Sequence, residues 1–225
     1  MSYKNFFYFD IETTSKFPTF FDMAMDDPIG KELFVRKYEN IKKFESDWNK
    51  PIEEIYIEKS PLMPEYGKII CMSFGMFTDN GEKKIMTIAE NDEKSTLEKM
   101  VKIFNRANST KRYLCGFNIK YFDLPFIIKK LYKYDIDIPH NLNFIGVKPW
   151  EINMTDVYDI WKGLSRYGSS LDEVLYDLDI AKIDDHIKGE DIHDLYWEKG
   201  EKKLIYQHCE SNINKIIQIS EKLKL

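Results

Sequence analysis

The stretch Phe6-Phe7-Tyr8-Phe9-Asp10-Ile11-Glu12-Thr13-Thr14 carries the strongest fold signal in this chain. It begins with aromatic residues that favour a β-strand buried on both faces, and it then places Asp10 and Glu12 two residues apart. Side chains alternate along a strand, so both carboxylates point to the same face, about 7 Å apart along the chain. Because two anions held this close favour a cation between them, the stretch predicts a metal site at the carboxyl end of a central strand.

The composition predicts a globular protein inside the cell. The chain has 225 residues, of which 43% are hydrophobic, so it can bury a full core. Its net charge of −5 argues against broad electrostatic binding to nucleic acid, but a local basic surface or metal ions would still allow such a partner. Three cysteines without a C-x-x-C pair indicate reduced thiols. We find neither a signal peptide nor an apolar run of about 18 residues, so we expect a cytoplasmic protein with no membrane partner.

Hydrophobic periodicity and turn signals predict a sheet with helices. The long polar and aromatic stretch at 15–66 follows the first strand and is expected to be a helical insertion. Strand-like runs at 68–78 and 83–88 flank Asp79-Asn80-Gly81, and an Asn-Gly pair in that place predicts a hairpin. A short strand at 112–116 follows a helix, giving an element order that is typical of ribonuclease H-like domains.

Capping patterns predict where several helices begin. Ser95-Thr96-Leu97-Glu98 and Ser170-Leu171-Asp172-Glu173 both have the form of a capping box. Asp123 is predicted to open another helix, since an acidic residue is favoured in a first turn. An apolar stripe at helical spacing predicts a last helix over 202–225.

The motifs FDIETT at 9–14 and GFNIKYFDLPF at 116–126 together resemble the first and second motifs of the DEDD (DnaQ-like) 3′-to-5′ exonucleases. The similarity continues in order through PEYGKIICMSFG (64–75), KPWE (148–151), TDVYDIWK (155–162) and LYWEKGEKKLIYQHCESNI (195–213). These segments resemble predicted exonucleases related to the exonuclease domain of family B DNA polymerases. The resemblance implies an α/β, RNase H-like fold, with a mixed five-stranded sheet flanked by helices in a single domain over 1–225.

The resemblance also implies the composition of a catalytic site. Two divalent cations, Mg²⁺ or Mn²⁺, would be held by carboxylates. Asp10 would bridge the two ions, Glu12 would complete the site that carries the attacking water, and Asp123 would act mainly through the shell of the other ion. The implied substrate is the 3′ end of nucleic acid, most of all single-stranded DNA, and replication or repair proteins are expected partners. The positions expected to contact this substrate are Thr13, Thr14, Asn118 and Phe122.

The third motif departs from the family pattern. Relatives carry Tyr-Cys-x-x-Asp-Val where this chain has HCESNI at 208–213. A shifted alignment onto Tyr206 and Glu210 is disfavoured, because these positions lie roughly 160° around a helix from His208 and Asn212. His208 can replace the tyrosine as a general base for water. Asn212 offers an amide oxygen as a ligand but removes one negative charge from the metal site.

Three explanations for Asn212 stay open in the sequence. The residue is natural and tolerated, with lower activity or greater reliance on Mn²⁺; it is natural in a protein that binds nucleic-acid ends without cutting; or it is an engineered substitution. Accordingly, the leading hypothesis is a metal-dependent exonuclease, and the alternative is a catalytically impaired module that binds nucleic acid or a protein partner.

Other residues allow two interpretations. Lysines on both sides of the motifs either supply local positive charge or form solvated helix faces, and three phenylalanines after the acidic motif either pack internally or stack on bases. Packing is favoured for the phenylalanines. Three histidines lack ligand-like spacing and are set aside as non-catalytic. The lysines are Lys129, Lys130, Lys133, Lys199, Lys202 and Lys203; the phenylalanines are Phe17, Phe20 and Phe21; the histidines are His140, His186 and His193.

Overall fold

The computed structural model describes residues 2–144, 146–148, 154–181 and 187–225. Of the motif at 148–151, only Lys148 lies within these ranges. His186 lies outside the described residues, so its predicted non-catalytic character stays a prediction.

A mixed five-stranded sheet forms the centre of the fold, as the sequence predicts. The strands are β1 (Phe6–Ser15), β2 (Gly67–Phe77), β3 (Lys83–Ile88), β4 (Tyr113–Gly116) and β5 (Met154–Asp156), in the spatial order β3-β2-β1-β4-β5. Strand β1 pairs in parallel with β4, with Phe7 opposite Leu114, and β4 pairs in parallel with β5. The carboxyl ends of β1, β4 and β5 therefore lie at the same edge of the sheet. With three residues, β5 is too short to give a periodic signal in the sequence.

The hairpin prediction is confirmed. Strands β2 and β3 pair antiparallel, with Phe77 opposite Lys83. In the turn between them, Gly81 has a φ of 78°, which glycine adopts without steric cost, and its amide donates to the Thr78 carbonyl at 2.8 Å.

The helices are α1 (Phe20–Asp26), α2 (Pro28–Ile41), α3 (Ile52–Lys59), α4 (Glu93–Ser109), α5 (Asp123–Lys133), α6 (Val157–Lys162), α7 (Leu171–Asp177), α8 (Ile192–Trp197) and α9 (Lys202–Lys222). The capping box at Ser170 is confirmed at the start of α7, where Glu173 reciprocates. The capping box predicted at Ser95 is wrong. Asp92 caps α4 instead, because its carboxylate accepts the Ser95 amide at 2.8 Å and the helix begins at Glu93.

The chain divides into two compact units. The first comprises 1–12, 70–186 and 206–225, and the second comprises 13–69 and 187–205. In the first unit the rings of Phe7, Phe9 and Phe104 contact one another, and Tyr8 lies in a core cluster with isoleucines of α9. The sequence predicts a single domain with an insertion at about 15–66, and this division stays a prediction.

The second unit has an aromatic core of its own. Helices α1, α2 and α3 lie within the predicted insertion, and Phe34 and Tyr56 are completely buried among them. Phe17 and Phe20 pack against this cluster, as the packing interpretation predicts. Phe21 does not, since 69% of its surface is exposed.

A buried ion pair links α4 and α5 in the first unit. The Lys130 ammonium lies 3.2 Å from a Glu93 carboxylate oxygen, and their side chains are only 1% and 6% exposed. Neither interpretation made for Lys130 from the sequence holds, because the residue is neither a solvated face nor a charge offered to a ligand. The other five lysines singled out in the sequence are exposed. Within the described residues, no helix is both long enough and apolar enough to cross a bilayer.

Candidate active site

The two carboxylates of β1 meet one side chain of α9. The Asn212 amide Nδ2 lies 3.2 Å from Asp10 Oδ2 and 3.4 Å from Glu12 Oε1. A single amide group can contact both carboxylates only if they project to the same face, as the alternation along β1 predicts. Asp10 is half-buried and Glu12 is 9% exposed, so both charges lie in a largely dehydrated place.

The register of α9 agrees with the unshifted alignment of the third motif. His208 Nε2 lies 3.6 Å from Glu12 Oε1 and 3.5 Å from Asn212 Nδ2, so both residues face the acids of β1. Glu210 points elsewhere, because its carboxylate accepts a 2.6 Å hydrogen bond from Thr87 on β3. Consequently Glu210 does not replace the missing carboxylate of the third motif.

Asp123 is the first residue of α5 and is almost fully buried, at 2% exposure. Its Oδ1 accepts a hydrogen bond of 3.0 Å from the backbone amide of Ile11, which lies between Asp10 and Glu12 in β1. Asp123 thus holds the strand that carries the other two acids. Among the described residues, the group with ligand atoms within 4.8 Å of one another consists of Asp10, Glu12 and Cys209, without Asp123.

Cys209 is a site residue that the sequence interpretation missed. It lies within the segment of the predicted last helix and is completely buried. However, its thiol also donates towards the Asp10 carbonyl at 3.4 Å and towards Asp10 Oδ2 at 3.6 Å. The sequence feature that could have identified Cys209 is its position next to His208 in the third motif. However, a cysteine at this position is equally expected from the apolar stripe of the helix.

Burial dominates the electrostatics of the acids. It raises the pKa of Asp10 to about 6, although the Asn212 amide and the nearby His208 act in the opposite direction. The pKa of Asp123 is raised well above its ordinary value, first by burial and then by the charge of Asp10, and the Ile11 amide partly offsets this. Burial also raises the pKa of the Cys209 thiol. Two neighbouring acids cannot both ionise without repelling each other, and a cation bound between them would relieve that repulsion.

The four positions expected to contact substrate differ in their surroundings. Asn118 has a left-handed φ of 62° and is half-buried, and the half-buried ring of Phe122 packs on Phe126 at 5.7 Å. Thr13 donates a hydrogen bond to the Pro61 carbonyl at 2.8 Å and is 8% exposed. Thr14 is completely buried, so its side chain is not presented to a substrate.

Asp156, at the end of β5, is a second residue whose part the sequence did not show. One of its carboxylate oxygens accepts the amides of Asn118 at 2.8 Å and Tyr158 at 3.0 Å, and the other accepts the Lys120 amide at 2.9 Å. The bonds to Asn118 and Lys120 hold the segment that leads from β4 to Asp123, and the bond to Tyr158 caps α6. An acid that satisfies the amides of a distant segment gives no periodic signal, so the contacts with Asn118 and Lys120 appear only in the folded chain.

The donor atoms around Asn212 fit a hard divalent cation. Two carboxylates lie within hydrogen-bonding distance of one amide group, and a half-turn of that amide would present its Oδ1 in place of Nδ2. Carboxylate and amide oxygens are ligands that Mg²⁺ and Mn²⁺ accept. RNase H-like nucleases generally use divalent metals, and this set of donors is compatible with that chemistry.

Comparison with solved structures supports the fold. The chain is similar to the family B DNA polymerase from the hyperthermophilic archaeon Pyrobaculum calidifontis, with a TM-score of 0.59 and 12% sequence identity. The similarity covers 96% of this chain and 24% of the polymerase, so the chain spans about a quarter of that protein's length. No curated protein matches the sequence.

A family model matches most of the chain. The model RNase_H_2, described as RNase_H superfamily, matches residues 55–224, which include α5 and the whole of α9. Together with the polymerase similarity, it confirms the RNase H-like fold that the motifs predict and supports their resemblance to DnaQ-like exonucleases. The chain therefore belongs to the RNase_H_2 family of the RNase H superfamily.

Proposed function

We propose that this protein is a metal-dependent 3′-to-5′ exonuclease that removes nucleotides from the end of single-stranded DNA. One observation carries the proposal: the side chains of Asp10, Glu12, His208 and Asn212 converge on the carboxyl side of the β1 residues that pair with β4. The RNase H-like nuclease fold supports a nucleic-acid substrate. Open α/β sheets place their sites at this end of the strands.

Each side chain of the site has a proposed part. Asp10 and Glu12 would hold the cations, with Asn212 Oδ1 as a neutral ligand, and Asp123, bonded to the Ile11 amide, would act through the shell of the other ion. When bound, two Mg²⁺ or Mn²⁺ ions supply an activated water and stabilise the leaving 3′ oxygen. His208 Nε2, placed 3.6 Å from Glu12 Oε1, would accept the proton of the attacking water, and Glu12 would stabilise the imidazolium that results.

A second function is favoured by the contacts of Asn212. Its Nδ2 donates to both carboxylates, so a neutral amide joins the two acids by hydrogen bonds. A chain with this arrangement could bind the end of a nucleic-acid strand, or a protein partner, with little or no hydrolysis. This catalytically impaired module is the alternative to the enzyme.

Degradation of a 5′-labelled single-stranded oligonucleotide separates the two functions. The reaction is run with Mg²⁺, with Mn²⁺ and with chelator, for the wild type, Asp10→Ala and Asn212→Asp. We expect a metal-dependent ladder that is lost in Asp10→Ala. Activity in Asn212→Asp alone would identify the missing carboxylate as the block, and no activity in either protein would favour the binding module.

A further inference from the structure

A surface of the first unit alternates tyrosine rings with cations. The Lys120 ammonium lies 5.6 Å from the ring centroid of Tyr121, and the Lys162 ammonium lies 5.6 Å from that of Tyr158. The Arg166 guanidinium lies 5.5 Å from the ring centroid of Tyr167. We call these six residues the tyrosine–cation surface. The three pairs come from the segment between β4 and α5, from α6, and from the residues that follow α6.

Contacts between neighbouring residues make this surface continuous. The Lys120 ammonium lies 2.9 Å from a carboxylate oxygen of Asp159, which directly follows Tyr158. Farther on, a Cβ at Gly168 would collide with the hydroxyl of Tyr158, so the backbone beside Tyr167 lies against that ring. The three cation–tyrosine pairs are therefore parts of one patch.

The tyrosines at the two ends of the surface are open to solvent. Tyr121 is 61% exposed and Tyr167 is 74% exposed, and apolar Leu164 between α6 and Tyr167 is fully exposed. Exposed aromatic faces beside cations have the chemistry that single-stranded nucleic acid requires. Bases stack on the rings without regard to sequence, and phosphates take the positive charges.

The surface is both fixed in place and close to the acids. Two backbone amides bonded to Asp156, those of Asn118 and Lys120, hold the segment of Lys120 and Tyr121, so little order would have to be gained on binding. Tyr121 precedes Asp123 by two residues, and Asp123 is bonded to the strand of Asp10 and Glu12. A strand whose 3′ end lies at the acids could therefore continue over these tyrosines.

We infer that the tyrosine–cation surface binds the single-stranded part of the substrate, with bases stacked on Tyr121 and Tyr167 and phosphates beside Lys162 and Arg166. This inference rests on the proposed function, because it extends the path of the same strand away from the acids. It also explains how a chain with a net charge of −5 can hold a polyanion: the contact is local and depends on stacking.

Binding without turnover tests the inference. The intact chain is titrated against 5′-fluorescein dT15 in EDTA, by fluorescence anisotropy, with a matched U15 probe to compare DNA with RNA. We expect Tyr121→Ala and Tyr167→Ala each to raise Kd by about 5-fold to 100-fold, as loss of one stacked base does, and Tyr121→Phe to bind as the wild type. Tyr176→Ala is the control, because Tyr176 is 84% exposed on α7, outside the surface.

Salt dependence tests the cations separately. Lys162→Ala and Arg166→Ala should each reduce the slope of log Kd against log salt by about 0.7 to 1, the value for one lost phosphate contact. Unchanged Kd in both tyrosine variants, or a loss as large in Tyr176→Ala, would overturn the inference. Absence of wild-type binding to either probe at micromolar protein would overturn it as well.

The outcomes for the surface and for the proposed function can be told apart. Binding that depends on the tyrosines, without a ladder in Mg²⁺ or Mn²⁺, would refute the exonuclease and leave the surface standing. A metal-dependent ladder combined with tyrosine variants that bind like the wild type would refute the surface and leave the exonuclease standing. Melting curves of every variant show whether a loss of binding comes from unfolding.

Discussion

Asn212 is the single side chain on which the chemistry of the site depends most. It lies between two carboxylates and contributes hydrogen bonds where a third carboxylate would contribute charge. An amide in this place stabilises the metal-free site, because it separates two anions that would otherwise repel each other. The same residue would lower the affinity of the site for a cation, because a neutral oxygen attracts a cation less than a carboxylate does.

Asn212→Asp should therefore reverse this balance. We expect the variant to bind Mg²⁺ at least about 10-fold more tightly than the wild type, since one added charge strengthens the site by about 1.4 kcal/mol or more. Its metal-free form should melt at a lower temperature than the wild type, because three carboxylates then repel one another. Calorimetric titration gives the affinity, and melting in EDTA gives the second result. Equal affinity of the two proteins for Mg²⁺ would contradict the role given to Asn212.

The raised pKa of Asp10 predicts a pH dependence of stability in the metal-free protein. The pKa is about 6 in the folded chain, above the ordinary value near 4, so between these pH values the folded state binds more protons than the unfolded state. The free energy of unfolding therefore falls as the pH rises from about 4 to 6, and the loss is complete above that range. Asp10→Asn lacks this titration and serves as the comparison.

Urea denaturation in EDTA at pH 4.5 and pH 7.5 measures the effect. On going to the higher pH, the wild type should lose about 1 to 2 kcal/mol more than Asp10→Asn, because the variant lacks both the Asp10 titration and the effect of the Asp10 charge on the pKa of Asp123. Identical pH dependence in the two proteins would show that Asp10 is not the responsible group.

Among the elements, the segment between β4 and α5 has the greatest influence on the site. It must end with Asp123 buried against β1, and it does so through the left-handed Asn118 and the bonds to Asp156. Buried amides without partners cost free energy, so Asp156 stabilises the one conformation that satisfies them. The acid thereby acts on the site without facing it.

Asp156→Ala should loosen this segment. Loss of a carboxylate that accepts three backbone amides should lower the free energy of unfolding by about 2 to 4 kcal/mol. Amide exchange at Asn118 and Lys120 should become faster by at least about 10-fold, relative to amides of β2. Asp156→Asn keeps one acceptor oxygen, so its free energy of unfolding and its exchange rates should lie between those of the wild type and those of Asp156→Ala. Exchange that is uniformly faster over the whole chain would indicate a general loss of stability and no specific role for Asp156.

For the molecule as a whole, binding of a cation should raise the free energy of unfolding. A ligand that binds only the folded state stabilises it by RT ln(1 + [L]/Kd), so 10 mM Mg²⁺ with a Kd of about 1 mM adds about 1.4 kcal/mol. For a chain of this size we expect the melting temperature to rise by about 3 to 6 °C. Asp10→Ala at matched ionic strength should show no such rise. An equal rise in both proteins would place the cation elsewhere.

Much of the fold can be predicted from local sequence. The aromatic strand, the Asn-Gly hairpin, the Ser170 capping box and the last helix follow from periodicity and turn chemistry, which act between residues close in the chain. The cap of α4 was misplaced because Asp92 and Ser95 both have capping side chains, and only the backbone path selects one of them.

The acidic pair and the altered third motif were also open to prediction. Alternation along β1 places Asp10 and Glu12 on one face, and the angle of 100° per residue in a helix selects His208 and Asn212 over Tyr206 and Glu210. Both arguments use periods within a single element. They predict which side chains share a direction, and the folded chain agrees with them.

The contacts between elements required the folded chain. Four sets of contacts join residues that are distant in sequence: Cys209 with Asp10, Asp123 with the Ile11 amide, Asp156 with the Asn118 and Lys120 amides, and the buried Lys130–Glu93 pair. Each depends on which helix face and which strand end meet when the core packs. A residue's own neighbours set its direction and propensity, but its partners are set by how layers close around a shared core, and no local pattern carries that information.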